Sequence, residues 1–147
     1  MRHRLALAAL GGAGLYLFAR PWVHRWGTTG EETVVPLPGD DIIAAPRHET
    51  THAVTVDAPI DEVWRRVVDG PPPCGLAGVA EVDGPTTLVL RAPDGSATCA
   101  YELHQHEGDG TRIVVRFRTS HRWAPLAPVR WAMQRRMLVG LKERAAA

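Results

Sequence analysis

His104 and His106 stand two apart in "ATCAYELHQHE", a stretch whose alternation reads as a strand from Ala97 to Glu107. Glu102 shares their parity, so all three side chains are expected on one face. A His-x-His pair on a strand can give a zinc ion two ligands, and a site needs a third. His121, His52 and His48 could serve only if folding brings them near, which the spacing does not require, so a solvated strand face is the expectation. Tyr101 falls on the opposite face with Cys99 and Leu103, toward the interior. Its phenol is a candidate proton donor, but acid–base work at neutral pH would need a shifted pKa and a partner base, and the sequence identifies no such base. There is no phosphate loop, nucleophile elbow or paired-carboxylate motif. Cys74 and Cys99 make neither a metal spacing nor a disulfide framework and are expected as thiols. Neither a metal nor a cofactor is implied.

The elements that would position these residues can be read from periodicity. Thr51 to Val56 alternates with β-branched residues, as a half-buried strand does. Asp57-Ala58-Pro59 ends it and opens a helix, with Asp61 and Glu62 in the first turn where the helix dipole favours negative charge. Ile60, Val63, Trp64, Val67 and Val68 then form one apolar stripe, which Gly70 and Pro71 to Pro73 terminate. Thr86–Ala92, Ala97–Glu107 and Thr111–Arg122 alternate as strands joined by the short breaks "PDGS" and "GDG", with a weaker strand at Val79–Val82. In the last strand Ile113, Val115 and Phe117 point to the core, whereas Arg112, Val114, Arg116 and Arg118 face a side expected to be largely wet. From Leu126 to Arg144 the stripe Leu126, Val129, Met133, Met137 and Leu141 predicts a long amphipathic helix, with Arg130, Gln134, Arg135 and Lys142 outside it.

With 147 residues the chain has room for one domain and a tail. Its 45% apolar and 22% charged content is that of a globular protein, and a net charge of +1 offers no field for nucleic acid. Residues 1–26 are different. The uncharged run Leu5–Ala19 is followed by "RPWVHRWG", and its Arg flanks with Trp22 and Trp26 fit a membrane anchor through residues 5–23 of undetermined orientation. A signal peptide and a buried helix remain as alternatives; the first lacks a small-x-small cleavage site, and the second is weakened by Gly11, Gly12 and Gly14. Residues 27–47, rich in Pro and Gly, read as an extended connector. Val34, Val35, Ile42 and Ile43 suggest that parts of it dock on the domain at 48–147.

The order of strand, Asp-Ala-Pro, helix with "VW", antiparallel meander and long terminal helix resembles the SRPBCC superfamily, also called START-like or polyketide cyclase-like. "VTVDAPIDEVWRRVVD" is similar to the family's opening, "GTRIVVRFR" to its last strand and "MQRRMLVGLKERA" to the end of its terminal helix. "RPWVHRWGTTGEE" and "PLPGDDII" resemble the lead-in of a membrane-associated bacterial subgroup. The resemblance implies an α+β helix-grip fold, a curved antiparallel sheet packed against the C-terminal helix. Family members generally carry a second helix and two further strands where this chain has only Gly70 to Pro85, so the grip is expected to be incomplete and its cavity open, shared across a homodimer, or absent.

The function expected is noncatalytic binding of a small hydrophobic molecule or lipid between sheet and terminal helix, at the membrane, with Trp64, Tyr101, Phe117, Met133 and Met137 as lining. Met133 and Met137 serve equally as core filler. A cyclase- or dehydratase-like enzyme and an interaction domain with a filled core are the alternatives. Arg130, Arg135 and Arg136 could meet anionic headgroups or simply face water.

Overall fold

β-branched residues hold the first strand extended, and its pairing carries it further than its alternation suggests. In the computed structural model, β1 spans His48–Val56 and pairs antiparallel with the last strand from His48↔Thr119 to Val56↔Thr111. The model describes residues 14, 18–19, 21–70, 76, 78–121 and 127–145, the side chains of 127–131, 133, 144 and 145 excepted. Helix α1, Ile60–Val68, starts after Pro59 at φ −59°, a value the proline ring already favours, and buries Val63. Strands β2 (Gly78–Asp83), β3 (Thr87–Arg91), β4 (Ala97–Gln105) and β5 (Thr111–Thr119) form a meander. The sheet order is β1-β5-β4-β3-β2, antiparallel throughout. Helix α2, Ala127–Ala145, packs against β1 and α1.

Two strands end earlier than expected. β4 stops at Gln105 because the chain turns there, His106 N–H bonding to Gly110 C=O at 2.8 Å. β5 stops at Thr119, after which Ser120 N–H bonds to Ser96 C=O.

One sheet face forms the main core. Val54, Val56, Leu88, Leu90, Cys99, Tyr101, Leu103, Ile113, Val115 and Phe117 meet Val63 of α1 and Leu138 and Leu141 of α2. The inward face of α2 holds Leu141 and Met137 of the expected stripe and is wider than expected; the side chains of Leu126, Val129 and Met133 lie outside the described residues. Gln134, Leu138 and Leu141, at i, i+4 and i+7, are buried and Met137 is half-buried, so Gln134 belongs inside rather than outside the stripe. Apolar periodicity alone could not reveal a polar residue on the packed face.

The opposite face is covered along β5 rather than wet. Residues 27–47 cross it, and Leu37 packs on Ala53 and Val114. Three arginines of β5 hold them there. Arg112 makes a bidentate pair with Glu32, 2.8 Å at each oxygen, and also donates to Gly27 C=O and Thr55 Oγ1. Arg116, its side chain only 3% exposed, donates to Asp40 Oδ2 at 2.7 Å, to the carbonyls of Val35 and Glu32, and to Thr51 Oγ1. Arg118 reaches Glu49, the carbonyls of Asp40 and Ile43, and the Asp40 carboxylate. Alternating arginines read as a solvated face, but here each fixed fork of donors satisfies carbonyls and carboxylates of an otherwise irregular segment. Of the four apolar residues expected to dock, Ile43 is buried, whereas Val34 and Val35 stay exposed and Ile42 is just exposed.

The free edge of β1 is also engaged. Ala53 N–H donates to Trp26 C=O at 3.1 Å, and Gly27 follows at φ +76°. A Cβ on Gly27 would lie 2.1 Å from the Ala53 carbonyl oxygen. Gly27→Ala is therefore expected to lose about 1–3 kcal/mol through backbone strain and to speed amide exchange at Ala53, as hydrogen-exchange mass spectrometry of the two proteins would read.

Candidate functional site

The antiparallel registers place His52 opposite Val115, Val115 opposite Tyr101, and Tyr101 opposite Leu88, in one row across the inner face. The next row runs Thr50, Phe117, Cys99 and Leu90. α2 lies above these rows. The Tyr101 hydroxyl points at the Met137 thioether, with 3.6 Å between Oη and Sδ. Trp64 is half-buried against the same core and packs on Gly84 of the β2–β3 turn, where an added Cβ would meet the indole at 3.1 Å. Four of the five expected lining residues, Trp64, Tyr101, Phe117 and Met137, thus share one apolar cluster. The Met133 side chain lies outside the described residues.

His52 and Gln134, not expected as lining, are buried polar residues of this interior. His52 is 1% exposed and its Nε2 lies 2.9 Å from Val23 C=O. A carbonyl only accepts, so Nε2 carries the hydrogen and the neutral ring presents Nδ1 as an acceptor. Burial holds His52 below the ordinary imidazole pKa; the Val23 carbonyl and the nearby Gln134 amide oppose that shift without cancelling it. Gln134 makes no hydrogen bond of proper geometry to the ring. Because the folded state disfavours the proton, His52 contributes stability that is complete above the unfolded imidazole pKa, about 6.5, and lost as pH falls through the lowered folded value. Wild type is accordingly expected to lose stability relative to His52→Gln between pH 7 and pH 5, measured by urea denaturation at each pH; a constant difference would contradict this.

His104 and His106, expected on one strand face, are not placed together on β4. His104 faces outward 3.5 Å from Glu102, whereas His106 lies in the turn beyond the strand end, so the two do not share a strand face. Among the described residues no group of three metal-binding side chains occurs. His121 pairs loosely with Asp94 at 4.0 Å, and His48 meets the His24 ring edge-on at 4.8 Å. Arg135 stacks over Trp26 at 5.4 Å, tying α2 to the lead-in, while Arg136 is exposed.

Two open clefts lie away from the interior. One of about 500 Å³ sits at the β1 edge between Pro21, His24, Arg25, Glu49 and Thr51. The other, about 310 Å³, is floored by Leu37 and Val114 and rimmed by Glu31, Glu102 and His104. Neither is lined by Trp64, Tyr101, Phe117 or Met137. Residues 5–13, 15–17 and 20 of the expected anchor lie outside the described residues, and among the described ones no helix is long and apolar enough to cross a membrane.

No protein-family model and no curated protein matches the sequence. Solved structures do match the fold. Aha1 from Colwellia psychrerythraea, whose solution structure is a dimer, aligns with a TM-score of 0.55 at 10% identity over 67% of this chain and 96% of its own. A protein from Nitrosospira multiformis gives 0.52 at 12% identity over 67% and 96%. CalC from Micromonospora echinospora, described as a self-sacrificing resistance protein, gives 0.50 at 16% identity over 66% and 93%. A five-stranded antiparallel sheet with the C-terminal helix packed against it, aligned with these structures, shows that the chain shares their fold, an α+β, SRPBCC-like helix-grip.

Proposed function

We propose that the protein binds a small hydrophobic molecule or lipid between the inner sheet face and α2, without transforming it, and works at a membrane to which residues 5–23 attach it. The observation that carries this reading is the placing of Tyr101, Phe117 and Met137 in one apolar cluster beneath a helix that covers the sheet from one side only. Met137 supplies an adaptable, polarizable wall of the kind that accommodates varied apolar shapes. The enzyme reading is weaker on geometry. His52 and Tyr101 stand two strands apart, about 10 Å between their backbones at the usual strand spacing, and the Tyr101 hydroxyl is directed at the Met137 thioether. A homodimer is the further expectation: β2 is an edge strand whose Val79 and Val82 are 63% and 56% exposed, and the matched Aha1 is itself a dimer.

Native mass spectrometry of protein extracted from its host membrane tests the binding reading. A co-purifying apolar small molecule is the result expected. Its absence, with no thermal shift across a lipid and polyketide panel, would count against binding. Removing residues 1–20, which leaves the Val23 and Trp26 contacts in place, should release the protein to the soluble fraction; retention in membranes would refute the anchor.

A further inference from the structure

The interior beneath α2 is mostly apolar, and part of it holds polar atoms without partners among the described residues. There Gln134 is 2% exposed, and among the described residues neither its amide nitrogen nor its amide oxygen has a hydrogen-bond partner. Among the described residues His52 Nδ1, close to Gln134 but not in hydrogen-bonding geometry with it, has none, nor has Thr50 Oγ1, two residues along the same face of β1. Buried polar atoms are almost always satisfied, because each orphan forfeits its hydration with no return. Four such atoms on three neighbouring buried residues therefore require an explanation, and their chemistry specifies it.

The Val23 carbonyl fixes the tautomer of His52, so Nδ1 can only accept. The Gln134 amide nitrogen can only donate. A carbonyl or ether oxygen could satisfy the amide but not the imidazole. A hydroxyl can satisfy both, giving its hydrogen to Nδ1 and taking one from the amide. We infer that Gln134, His52 and Thr50 form a hydrogen-bonding end of the ligand site, which selects an apolar molecule bearing a hydroxyl group, a phenol or an alcohol, over the same skeleton without one. This deepens the binding reading above and rests on it.

The test compares 2-naphthol, 2-methoxynaphthalene and 2-methylnaphthalene, which share a ring system while offering donor plus acceptor, acceptor only, and neither. Binding is followed by NMR through the Gln134 side-chain amide and the His52 ring nitrogens of the full chain in detergent. Wild type is expected to bind 2-naphthol about tenfold more tightly than either analogue, the scale of one buried hydrogen bond, with both sets of resonances shifting. Gln134→Leu should keep its affinity for 2-methylnaphthalene and lose the preference; Gln134→Met, closer in shape, repeats the measurement should the leucine variant not fold. Equal affinity for all three probes, or a preference that survives both variants, overturns the hydroxyl selection while leaving apolar binding intact. Should an ordered water hold these atoms in the 2-naphthol complex, the selection is likewise wrong. Failure of all three probes to bind overturns this inference and, with an empty native mass spectrum and no thermal shift across the panel above, removes the binding reading too.

Discussion

Asp40→Ala is expected to destabilise the protein by about 3–5 kcal/mol, the scale for stripping a buried cation of its partner. The carboxylate serves three groups at once: Arg116 at 2.7 Å, Arg118 at 3.1 Å and the Leu37 N–H at 3.0 Å. Without it, Arg116 retains only neutral acceptors, Thr51 Oγ1 and the carbonyls of Val35 and Glu32, in a site that solvent barely enters. The half-exposed pair Arg66–Glu62, far more open to solvent than Arg116, is the control, and Glu62→Ala should cost under about 1 kcal/mol. Arg116→Met in the Asp40→Ala background should recover part of the loss, since it removes the stranded charge. A loss as small as that of Glu62→Ala, by urea denaturation, would mean that residues 27–47 do not clamp the outer face. The same clamp gives acid sensitivity. The Arg112 guanidinium holds the Glu32 carboxyl below its ordinary value of 4.5, so the stability it adds is complete above that value and lost as pH falls below it.

Leu138→Ala is expected to cost about 2–5 kcal/mol, as deletion of a fully buried leucine does when the cavity left behind cannot close. Leu138 sits where α2 crosses the inner face, and the rigid sheet beneath it, paired on both sides of β5 and β4, has little freedom to collapse. Arg136→Ala, two residues away on the exposed side, should change stability by less than about 0.5 kcal/mol. Near-equal effects would show that α2 does not roof the sheet.

Most of the architecture was legible because it rests on period. The 2-fold alternation of Thr111 to Thr119 and the single stripe of Ile60 to Val68 announce a strand and a helix whatever their surroundings. What failed was polarity read as exposure. Arg112, Arg116 and Arg118 looked solvated because nothing local shows that Glu32 and Asp40, some 80 residues upstream, fold over them. Gln134 and His52 were missed as interior residues for the same reason: a polar side chain on a packed face breaks the apolar pattern that marks the face. Two local signals pointed the right way. Gln134 stands four and seven residues before Leu138 and Leu141, and His52 shares the parity of Val54 and Val56. The strand ends at Gln105 and Thr119 depend on turn hydrogen bonds that alternation does not encode.

The most direct test of the account is methyl NMR of the full chain labelled at the methionine methyl carbons, titrated with 2-naphthol. Met137 touches Tyr101 beneath the helix, so its methyl signal should shift in a saturable manner, with contacts from the bound ring to the Tyr101 and Phe117 side chains. If the Met137 signal stayed fixed while the probe bound at the β1-edge cleft beside His24 and Arg25, the ligand would have a different home and the space under α2 would be a filled core.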